Sequence, residues 1–520
     1  MLLRTTLPLL LAIACFHSAA GQEPVWSPDV ASIIYTKCAH CHHDGGIGPF
    51  SLMSYSDVVA QGNAVAYAVQ TRHMPPWPAD PAYRSYAYQN ALTQDEIDAI
   101  VDWVNFGVPL GDLDLEPAPP VFGPAGSLLD TIHHVVAIEP YTLQFNTDEY
   151  RWFVLPTNFP DTVFVNGLEV IPGLKAVVHH ADISYDATGI SAALDAQDPL
   201  PGFNSSTGSP YYSYYMNAWQ PGGNPLKYPP DWGIPIPPGA DLVLEIHYGP
   251  GAQGQTDSTR MNLRFVTAPG PVRRVRVGWT LYDSPPVLID GPLMIPANTI
   301  RTFHQVFTLP NDRSYLSICP HMHQLGKSYK VWAVVPGGDT IPLVNIPQWM
   351  FHWQLYYTFQ QVQVLPAGTV LMSEGVYDNT IFNPYNPNMP PQHVYHGPTT
   401  ADEMFLCYFI WANSKPGDEH IVLDSTLVTQ VPEASLGMAP LGLFPNPTLG
   451  MVHFAVPDHV GPRVHGVVRD GTGRVVLETT LHRAPDELFF RQDLEQLAPG
   501  IYTVELVKGE WRGAGRVVRW

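Results

Sequence analysis

The sequence has few basic residues: 26 lysines and arginines stand against 47 acidic residues, which gives a formal net charge of −21. A surface with this charge repels nucleic acid and anionic lipid, so neither is expected as a partner. After its first residues, the chain has no apolar run approaching the ~20 residues that a membrane-spanning helix needs. It also has no tandem repeat and no low-complexity tract, so no transmembrane span and no repeat architecture are expected.

Cysteine is also scarce, with five in 520 residues, and the first of them lies in an N-terminal targeting segment. Residues 1–21 combine a basic start at Arg4, an apolar stretch and a run of small residues, which is typical of a signal peptide. Export to the periplasm is therefore expected. A lipoprotein anchored through Cys15 is the alternative, although the residues before this cysteine match that pattern poorly.

Proline and glycine are abundant, with 54 and 42 residues, and they separate many short segments of alternating polarity. This pattern predicts mostly β structure, and the length requires several domains. We expect a small all-α domain followed by two antiparallel, jelly-roll-like β-sandwiches and a small C-terminal β-sandwich. The expected boundaries are a signal peptide at 1–21, a helical domain at 25–113, a Pro-rich linker at 114–127, sandwiches at 128–272 and 273–430, a linker at 431–442 and the last sandwich at 443–520.

The helical domain carries a Cys-x-x-Cys-His motif formed by Cys38, Cys41 and His42. In this pattern two thiols bond a porphyrin and the following imidazole binds its iron, so one covalently bound haem c is expected. A zinc half-site lacks a second cysteine pair, and a redox disulfide lacks the surrounding βαβ unit. Thr93 and Glu96 form a capping box that predicts a helix after residue 93.

The sixth ligand of the haem iron is expected to be Met74, in the stiff Met-Pro-Pro sequence of residues 74–76. His73 and Met53 are the alternatives. Residues 31–112 resemble small bacterial cytochrome c domains, which implies that this segment is an electron carrier.

Three histidine groups stand out in the β region: His179 with His180, then His247, then His321 with His323. Residues two apart on a strand face one side, so His321 and His323 can share a metal. His179 and His180 would face opposite sides of a regular strand, so joint ligation requires a strand end or a bulge.

Residues 128–430 resemble the copper type II, ascorbate-dependent monooxygenases, the family of peptidylglycine α-hydroxylating and dopamine β-monooxygenases. The matching stretches, in the family order, are residues 177–183, 244–249, 320–327 and 400–404. The resemblance implies one copper on His179, His180 and His247. It implies a second copper, the catalytic one, on His321, His323 and Met404, where a soft thioether favours Cu(I).

The implied activity is hydroxylation of a C–H bond in a small-molecule or peptide substrate by O2. The electron donor would act through the fused haem domain, or as an ascorbate-like soluble reductant. The alternative is a non-catalytic surface protein that transfers electrons or binds copper, since a sandwich fold alone does not specify a reaction.

One departure from the family concerns Cys319, which replaces the arginine that anchors a substrate carboxylate in the peptide-amidating members. Peptide amidation is therefore not expected. The resemblance also places Cys319 and Cys407 near the second copper, and a disulfide between them is our hypothesis.

Other histidines carry weaker signals. The pair at 133 and 134 lacks the family flanks and is given no metal role, while His352, His393 and His396 are candidates to line or support the second site.

The C-terminal segment contains four short motifs of strand and turn residues at 443–448, 468–473, 494–502 and 516–519. In this order they resemble the type A sorting domain of the type IX secretion system. This resemblance implies contact with the type IX secretion machinery and transport across the outer membrane. A secreted or cell-surface location is therefore expected.

Overall fold

The computed structural model describes residues 23–520 except 124–125, 205–212, 425–438, 442, 445–447, 455, 457–459, 471–473, 484–488, 510 and 520. The expected signal peptide, Cys15 and most of the expected 431–442 linker lie outside the described residues. The chain divides into two compact units, residues 1–423 and 424–520. Strands dominate the described part of both units.

The first unit begins with three helices, and their ends follow from local sequence. They are α1 (Asp29–Lys37), α2 (Tyr55–Gln70) and α3 (Gln94–Asn105). The capping box is confirmed, because Thr93 accepts from the Glu96 backbone N–H and the Glu96 side chain accepts in return. Ile97, Ile100 and Trp103 bury one face of α3 in a small apolar core.

The next strands form the first β-sandwich, which has two main sheets. One sheet has the order β1-β11-β4-β8-β12 with β7 beside β4, and the other has the order β3-β9-β5-β6. The elements are β1 (His134–Ala137), β2 (Tyr141–Thr142), β3 (Glu149–Pro156), β4 (Val163–Ile171), β5 (Val178–Asp186), α4 (Ile190–Asp195), β6 (Tyr214–Trp219), β7 (Leu226–Lys227), β8 (Trp232–Ile236), β9 (Asp241–Tyr248), β10 (Thr256–Asp257), β11 (Arg260–Phe265) and β12 (Arg273–Arg274).

A second β-sandwich follows, with sheet orders β13-β22-β16-β19 and β15-β20-β17-β18 and a small β14-β21 pair. Its strands are β13 (Arg276–Leu281), β14 (Met294–Ile295), β15 (Ile300–Thr308), β16 (Arg313–His321), β17 (Gly326–Val334), β18 (Thr340–Ile346), β19 (Tyr357–Leu365), β20 (Val370–Asp378), β21 (Val394–Tyr395) and β22 (Leu406–Asn413). Burial alternates along β20, as expected for a strand with one face in a core.

The two sandwiches pack against each other through the β3-β9-β5-β6 and β13-β22-β16-β19 sheets. Leu316, Val362 and Ile410 of the second sandwich belong to the apolar core of the first. At the same contact, the rings of Tyr215 on β6 and Tyr408 on β22 lie 5.2 Å apart. The faces of these two sheets that look at each other are therefore enclosed.

The helical segment has a small apolar core of its own and also contacts the second sandwich. Ala79 and Tyr86 are buried in the core of the second sandwich. The Tyr86 hydroxyl donates to the Leu343 carbonyl at 2.7 Å, and the Arg84 guanidinium donates to the Pro342 carbonyl at 2.7 Å. Residues between α2 and α3 thus form part of the β core.

The Pro-rich linker is anchored rather than extended into solvent. Glu116 accepts hydrogen bonds from the Trp26 indole at 2.9 Å and the Tyr35 hydroxyl at 2.8 Å. Further along, the Phe122 ring stacks on His43 with centroids 3.6 Å apart. Glu116 and Phe122 therefore attach the linker to the helical segment.

The second unit is a small β-sandwich of its own, with sheet orders β23-β30-β29-β26-β27 and β24-β25-β28. Side chains such as Val452, Phe454, Val468 and Val504 fill its core. Its strands are β23 (Ala439–Pro440), β24 (Leu443–Phe444), β25 (Met451–Phe454), β26 (Arg463–Arg469), β27 (Val475–His482), β28 (Phe490–Asp493), β29 (Gly500–Lys508) and β30 (Trp511–Arg519).

The burial of Tyr86 in the second sandwich generates a stability prediction. Tyr86→Ala removes a fully buried ring and its hydrogen bond, so the free energy of unfolding should fall by about 3–5 kcal/mol. Tyr67→Ala is the matched control, because Tyr67 on α2 is 70% exposed and should cost no more than about 0.5 kcal/mol. Urea denaturation of both variants measures the difference, and equal stabilities would contradict the docking of this segment.

Candidate metal centres

A β-bulge at the start of β5 presents two consecutive histidines on one side of the sheet. Val178 pairs with Tyr248 and His180 pairs with His247, so His179 is the extra residue between the two pairs. The extra residue interrupts the alternation that would send neighbouring side chains to opposite faces. Of the two arrangements that the sequence allowed, a strand end or a bulge, the structure has the bulge.

The three imidazoles of His179, His180 and His247 converge. The Nδ1 atoms of His179 and His180 lie 3.2 Å apart, and the buried Nδ1 of His247 has no hydrogen-bond partner. One nitrogen from each ring lies within 4.8 Å of the other two. Two nitrogens bound to one metal at about 2.0–2.1 Å lie just over ~3 Å apart, so this arrangement can hold a metal ion.

The outer nitrogen of His247 faces a carboxylate. The Nε2 of His247 lies 2.8 Å from a carboxylate oxygen of Asp148, and the Tyr150 ring stacks on His247 at 4.1 Å. A carboxylate on the outer nitrogen fixes the tautomer and orients the ring, as is usual for metal-binding histidines. His247 is therefore held with Nδ1 toward His179 and His180.

Burial keeps this group neutral. Burial, together with the neighbouring His247, lowers the pKa of His179 to about 4. The pKa of His180 lies well below its usual range for the same two reasons. At neutral pH all three rings therefore have free lone pairs, which is the state that binds a metal.

The second pair, His321 and His323, lies on the facing sheet of the second sandwich. The expectation that one strand carries both is wrong, because β16 ends at His321 and His323 lies in the turn before β17. The rings are nevertheless neighbours, with centroids 5.1 Å apart. The His323 Nδ1 faces the Asp402 carbonyl oxygen at 3.0 Å, which leaves Nε2 open, and burial lowers the pKa of His321 to about 3.

Glu403 connects the Met404 segment to the turn that carries His323. Its buried carboxylate accepts from the backbone N–H of His323 at 2.9 Å and of Leu325 at 2.6 Å. Burial raises the pKa of Glu403 to about 8, although the two N–H donors act in the opposite direction. The half-buried Met404 follows directly, and its carbonyl accepts from the Tyr377 hydroxyl at 2.7 Å. Glu403 is a positioning residue that sequence reasoning missed.

Residues 349–354, which we call the bridging loop, connect β18 to β19 and contact both histidine groups. The Phe351 ring stacks on His179 at 5.2 Å and meets His323 edge-on at 6.2 Å. The Trp349 indole donates to the His323 carbonyl at 3.1 Å. A single aromatic ring therefore separates an imidazole of the first group from one of the second.

Two buried carboxyl groups lie beside the first histidine group and were missed by the sequence analysis. Asp182 and Glu245 are cross-strand partners on β5 and β9, next to the paired His180 and His247. Burial raises the pKa of both carboxyl groups well above the usual range. Their spacing of two residues from the histidines along each strand is the signal that could have found them.

Cys319 and Cys407 are free thiols in the structure, so the disulfide hypothesis is wrong. Cys319 pairs with Tyr408 across β16 and β22, which places Cys407 one residue away on the opposite face. Cys407 is buried in the core of the second sandwich. Two cysteines on opposite faces of adjacent strands point apart and cannot be bridged without moving the backbone.

The Cys-x-x-Cys-His motif lies directly after α1 and holds its histidine in one orientation. The Nδ1 of His42 lies 3.0 Å from the Phe50 carbonyl oxygen, which leaves Nε2 open. Gly48 makes this possible, because a Cβ there would lie 2.7 Å from the His42 Nδ1. The residues fit a covalently held haem, since Cys38 and Cys41 are free thiols and the imidazole is oriented by a backbone carbonyl.

The proposed sixth ligand, Met74, is half-buried just after α2, where its N–H donates to the Ala68 carbonyl at 3.1 Å. Pro76 lies against Gly222 of the first sandwich. Of the two alternatives, His73 is exposed and Met53 is half-buried.

The other histidines divide between surface roles and one unexpected position. His133 and His134 stack near Phe265, at 5.7 and 6.2 Å, on the first sandwich. His393 and His396 are exposed, and His396 lies 3.5 Å from Asp283. His352, in contrast, lies at the first histidine group rather than the second.

Comparison with known protein families identifies one part of the chain. Residues 442–518 match a family described as the secretion system C-terminal sorting domain. The chain therefore carries a type IX secretion sorting domain, which indicates export and a cell-surface or secreted location. No described helix is long and apolar enough to cross a membrane.

Comparison with solved structures gives only distant similarities, and the curated proteins contain no match to this sequence. PNGase F, a glycosylasparaginase from Flavobacterium meningosepticum, is 10% identical, with 54% of this chain and 96% of that chain covered and a TM-score of 0.24. A Faecalibacterium prausnitzii β-glucuronidase is 13% identical, with 42% and 37% covered and a TM-score of 0.12. TM-scores this low establish neither a common fold nor a common activity.

The lowered pKa values predict how acid affects the metal-free protein. Unfolded histidines bind protons near pH 6.5, whereas folded His179 and His321 resist protonation down to about 4 and about 3. The stability that depends on their neutrality is present above pH 6.5 and is lost as the pH falls through the acid range. From pH 6.5 to 5, we expect a loss of about 1–2 kcal/mol per histidine.

The matched control is the double variant His179→Asn with His321→Asn, which retains the buried carboxyl groups that respond to pH in the opposite sense. Urea unfolding of both chelator-treated proteins at the two pH values gives the comparison. Equal losses in the two proteins would contradict the neutral, buried state of these histidines.

Proposed function

We propose that this protein is a secreted copper-dependent monooxygenase that hydroxylates a C–H bond of an organic substrate. The observation that carries the proposal is the convergence of three neutral imidazoles, His179, His180 and His247, at a β-bulge. A second imidazole pair faces this group across the contact between the sandwiches. The resemblance of residues 128–430 to the copper monooxygenases is the reason to propose copper as the metal and hydroxylation as the reaction.

The donor atoms suit two copper ions with different tasks. His179, His180 and His247 would hold one copper through Nδ1, while His321 and His323 with Met404 would hold the other. When bound, the two coppers would supply electrons and activate O2, in a reaction that consumes two electrons and two protons and yields the hydroxylated product and water. Among the chain's own residues, Asp148 orients His247, and Glu403 holds the His323 turn against the Met404 segment.

The environment of Cys319 bears on the substrate class. This residue stands where the resemblance would place a carboxylate-binding arginine, and its thiol is buried, 3.8 Å from the Gln354 carbonyl oxygen. A buried neutral thiol cannot anchor a carboxylate. We therefore propose a substrate recognised without a free carboxylate at this position.

The helical segment would hold one haem c through Cys38, Cys41 and His42, with Met74 as the proposed sixth ligand. The haem would supply electrons to the copper centres, beside or in place of a soluble reductant. In this segment the Phe50 carbonyl orients His42, and Gly48 leaves room for the ring.

Copper content tests the proposal directly. Mature protein loaded with copper and freed of loosely bound metal should contain two copper ions per chain, measured by elemental analysis. His247→Ala should leave about one, and so should His323→Ala. Met404→Ala should abolish substrate-dependent oxygen consumption and leave the haem spectrum unchanged, whereas Met389→Ala, at a position 69% exposed, should keep both.

Two other outcomes would count against the proposal. No bound copper, or zinc in its place, would contradict both centres. Two coppers without substrate-dependent oxygen consumption in the unmodified protein would favour the alternative, a non-catalytic electron-transfer or copper-binding protein at the cell surface. Oxygen consumption that persists in Met404→Ala would contradict the role of Met404.

The haem assignment has its own test at Gly48. Gly48→Ala places a methyl group within 2.7 Å of the His42 Nδ1 and 2.9 Å of the Cys41 carbonyl oxygen. Haem should remain covalently attached, but its low-spin absorption spectrum should shift toward high spin as the His42 ligand is displaced. Gly62→Ala on α2 is the control, because a Cβ there meets its nearest atom at 3.7 Å. Identical spectra for Gly48→Ala and the unmodified protein would contradict the role of His42.

A further inference from the structure

His352 belongs to the second sandwich but reaches the histidine group of the first. It lies in the bridging loop, between β18 and β19, and its Nδ1 is 3.0 Å from the Nε2 of His179. The two rings cross at 73° with centroids 5.2 Å apart, which is a hydrogen-bonding rather than a stacking geometry. This contact joins the two sandwiches at the first metal centre.

The contact with His352 leaves the Nδ1 of His179 free to bind a metal. Because the Nδ1 of His179 faces His180 at 3.2 Å, a metal shared by these rings is bound through Nδ1. In that tautomer, the Nε2–H of His179 donates to the Nδ1 of His352. His352 thus orients the ring of His179 as Asp148 orients the ring of His247.

The position of the His179 ring depends on the bridging loop in a second way. Phe351, the residue before His352, stacks on the His179 ring at 5.2 Å with an interplanar angle of 23°. His179 is the bulged residue, without a cross-strand partner on β9 to define its position. Two consecutive side chains of the other sandwich therefore restrain its imidazole, one at the edge and one at the face.

We propose that His352 is a positioning residue of the three-histidine metal centre, which holds the His179 imidazole with Nδ1 toward the metal. The inference rests on the proposed function in one respect, that this centre binds copper. It adds that the centre is completed by a side chain from the second sandwich, so that the first sandwich alone does not define the site.

The test uses the full mature protein with His321→Ala and His323→Ala, so that copper binds at the first centre alone. In this parent, His352→Leu removes the hydrogen-bond acceptor and retains an apolar side chain. His352→Asn is the conservative variant, because its amide oxygen can accept close to the position of the imidazole Nδ1. His393→Leu, at an exposed histidine of the same sandwich, is the matched control.

Competition with a chromogenic Cu(I) chelator gives the affinity, and the electron paramagnetic resonance spectrum of bound Cu(II) reports the ligand geometry. His352→Leu should weaken Cu(I) binding about 10–100-fold and change the Cu(II) spectrum, since loss of such partners has this effect on metal sites. His352→Asn should recover most of the affinity and the parent spectrum, and His393→Leu should match the parent.

Parent-like affinity and spectrum in His352→Leu would overturn the inference. Failure of His352→Asn to recover binding in a folded protein would also overturn it, because a hydrogen-bond acceptor would then not be what the site needs. A parent protein that binds no copper would overturn the proposed function itself, which is a separate and recognisable result.

Discussion

The pairing of β5 with β9, with its one-residue bulge at His179, is the constraint on which the rest of the candidate site depends. After the bulge the register is regular, so that His180 lies opposite His247 and Asp182 lies opposite Glu245. Two rows of polar side chains therefore share one face of a sheet whose other face carries the apolar core. The polar side chains on that face need hydrogen-bond partners, because burying a polar group without one costs free energy.

The second sandwich supplies those partners and encloses the face at the same time. Burial moves the two kinds of titratable group in opposite directions, lowering the pKa of His180 and His321 and raising the pKa of Asp182 and Glu245. Both shifts favour the uncharged form, so the enclosed region carries little charge of its own. A metal cation entering it would be the largest local charge, and Asp182 and Glu245 are carboxyl groups on the same sheet face that could help to balance it.

Sequence patterns predicted the elements of the fold well, because they are local. The capping box at Thr93 and the need for a strand end or a bulge at His179 and His180 both follow from spacing over a few residues. Sequence patterns failed where the position of a residue depends on packing between elements. His323 lies beyond the end of its strand, and Cys407 turns away from Cys319 because of the strand register.

The bridging loop is the clearest example of this limit. Nothing in the order of Phe351 and His352 indicates which of two histidine groups they contact, because that depends on how two sheets face each other. Sequence reasoning placed His352 near the second site, whereas the packing of the two sandwiches brings it to His179. The same contact makes Phe351 common to both groups.

The attachment of the helical segment also depends on contacts between residues that are distant in sequence, which local sequence patterns do not reveal. Lys175 of the first sandwich donates to the Gly45 carbonyl beside the Cys-x-x-Cys-His motif at 2.9 Å, while Tyr86 is buried in the second sandwich. Pro76, two residues after Met74, and Trp353, next to His352, both lie close to Gly222 of the first sandwich. If this segment carries haem as proposed, its contacts with the two sandwiches hold it in place instead of leaving it tethered by a flexible linker. A fixed position removes the orientational search that a separate carrier protein must repeat at each encounter.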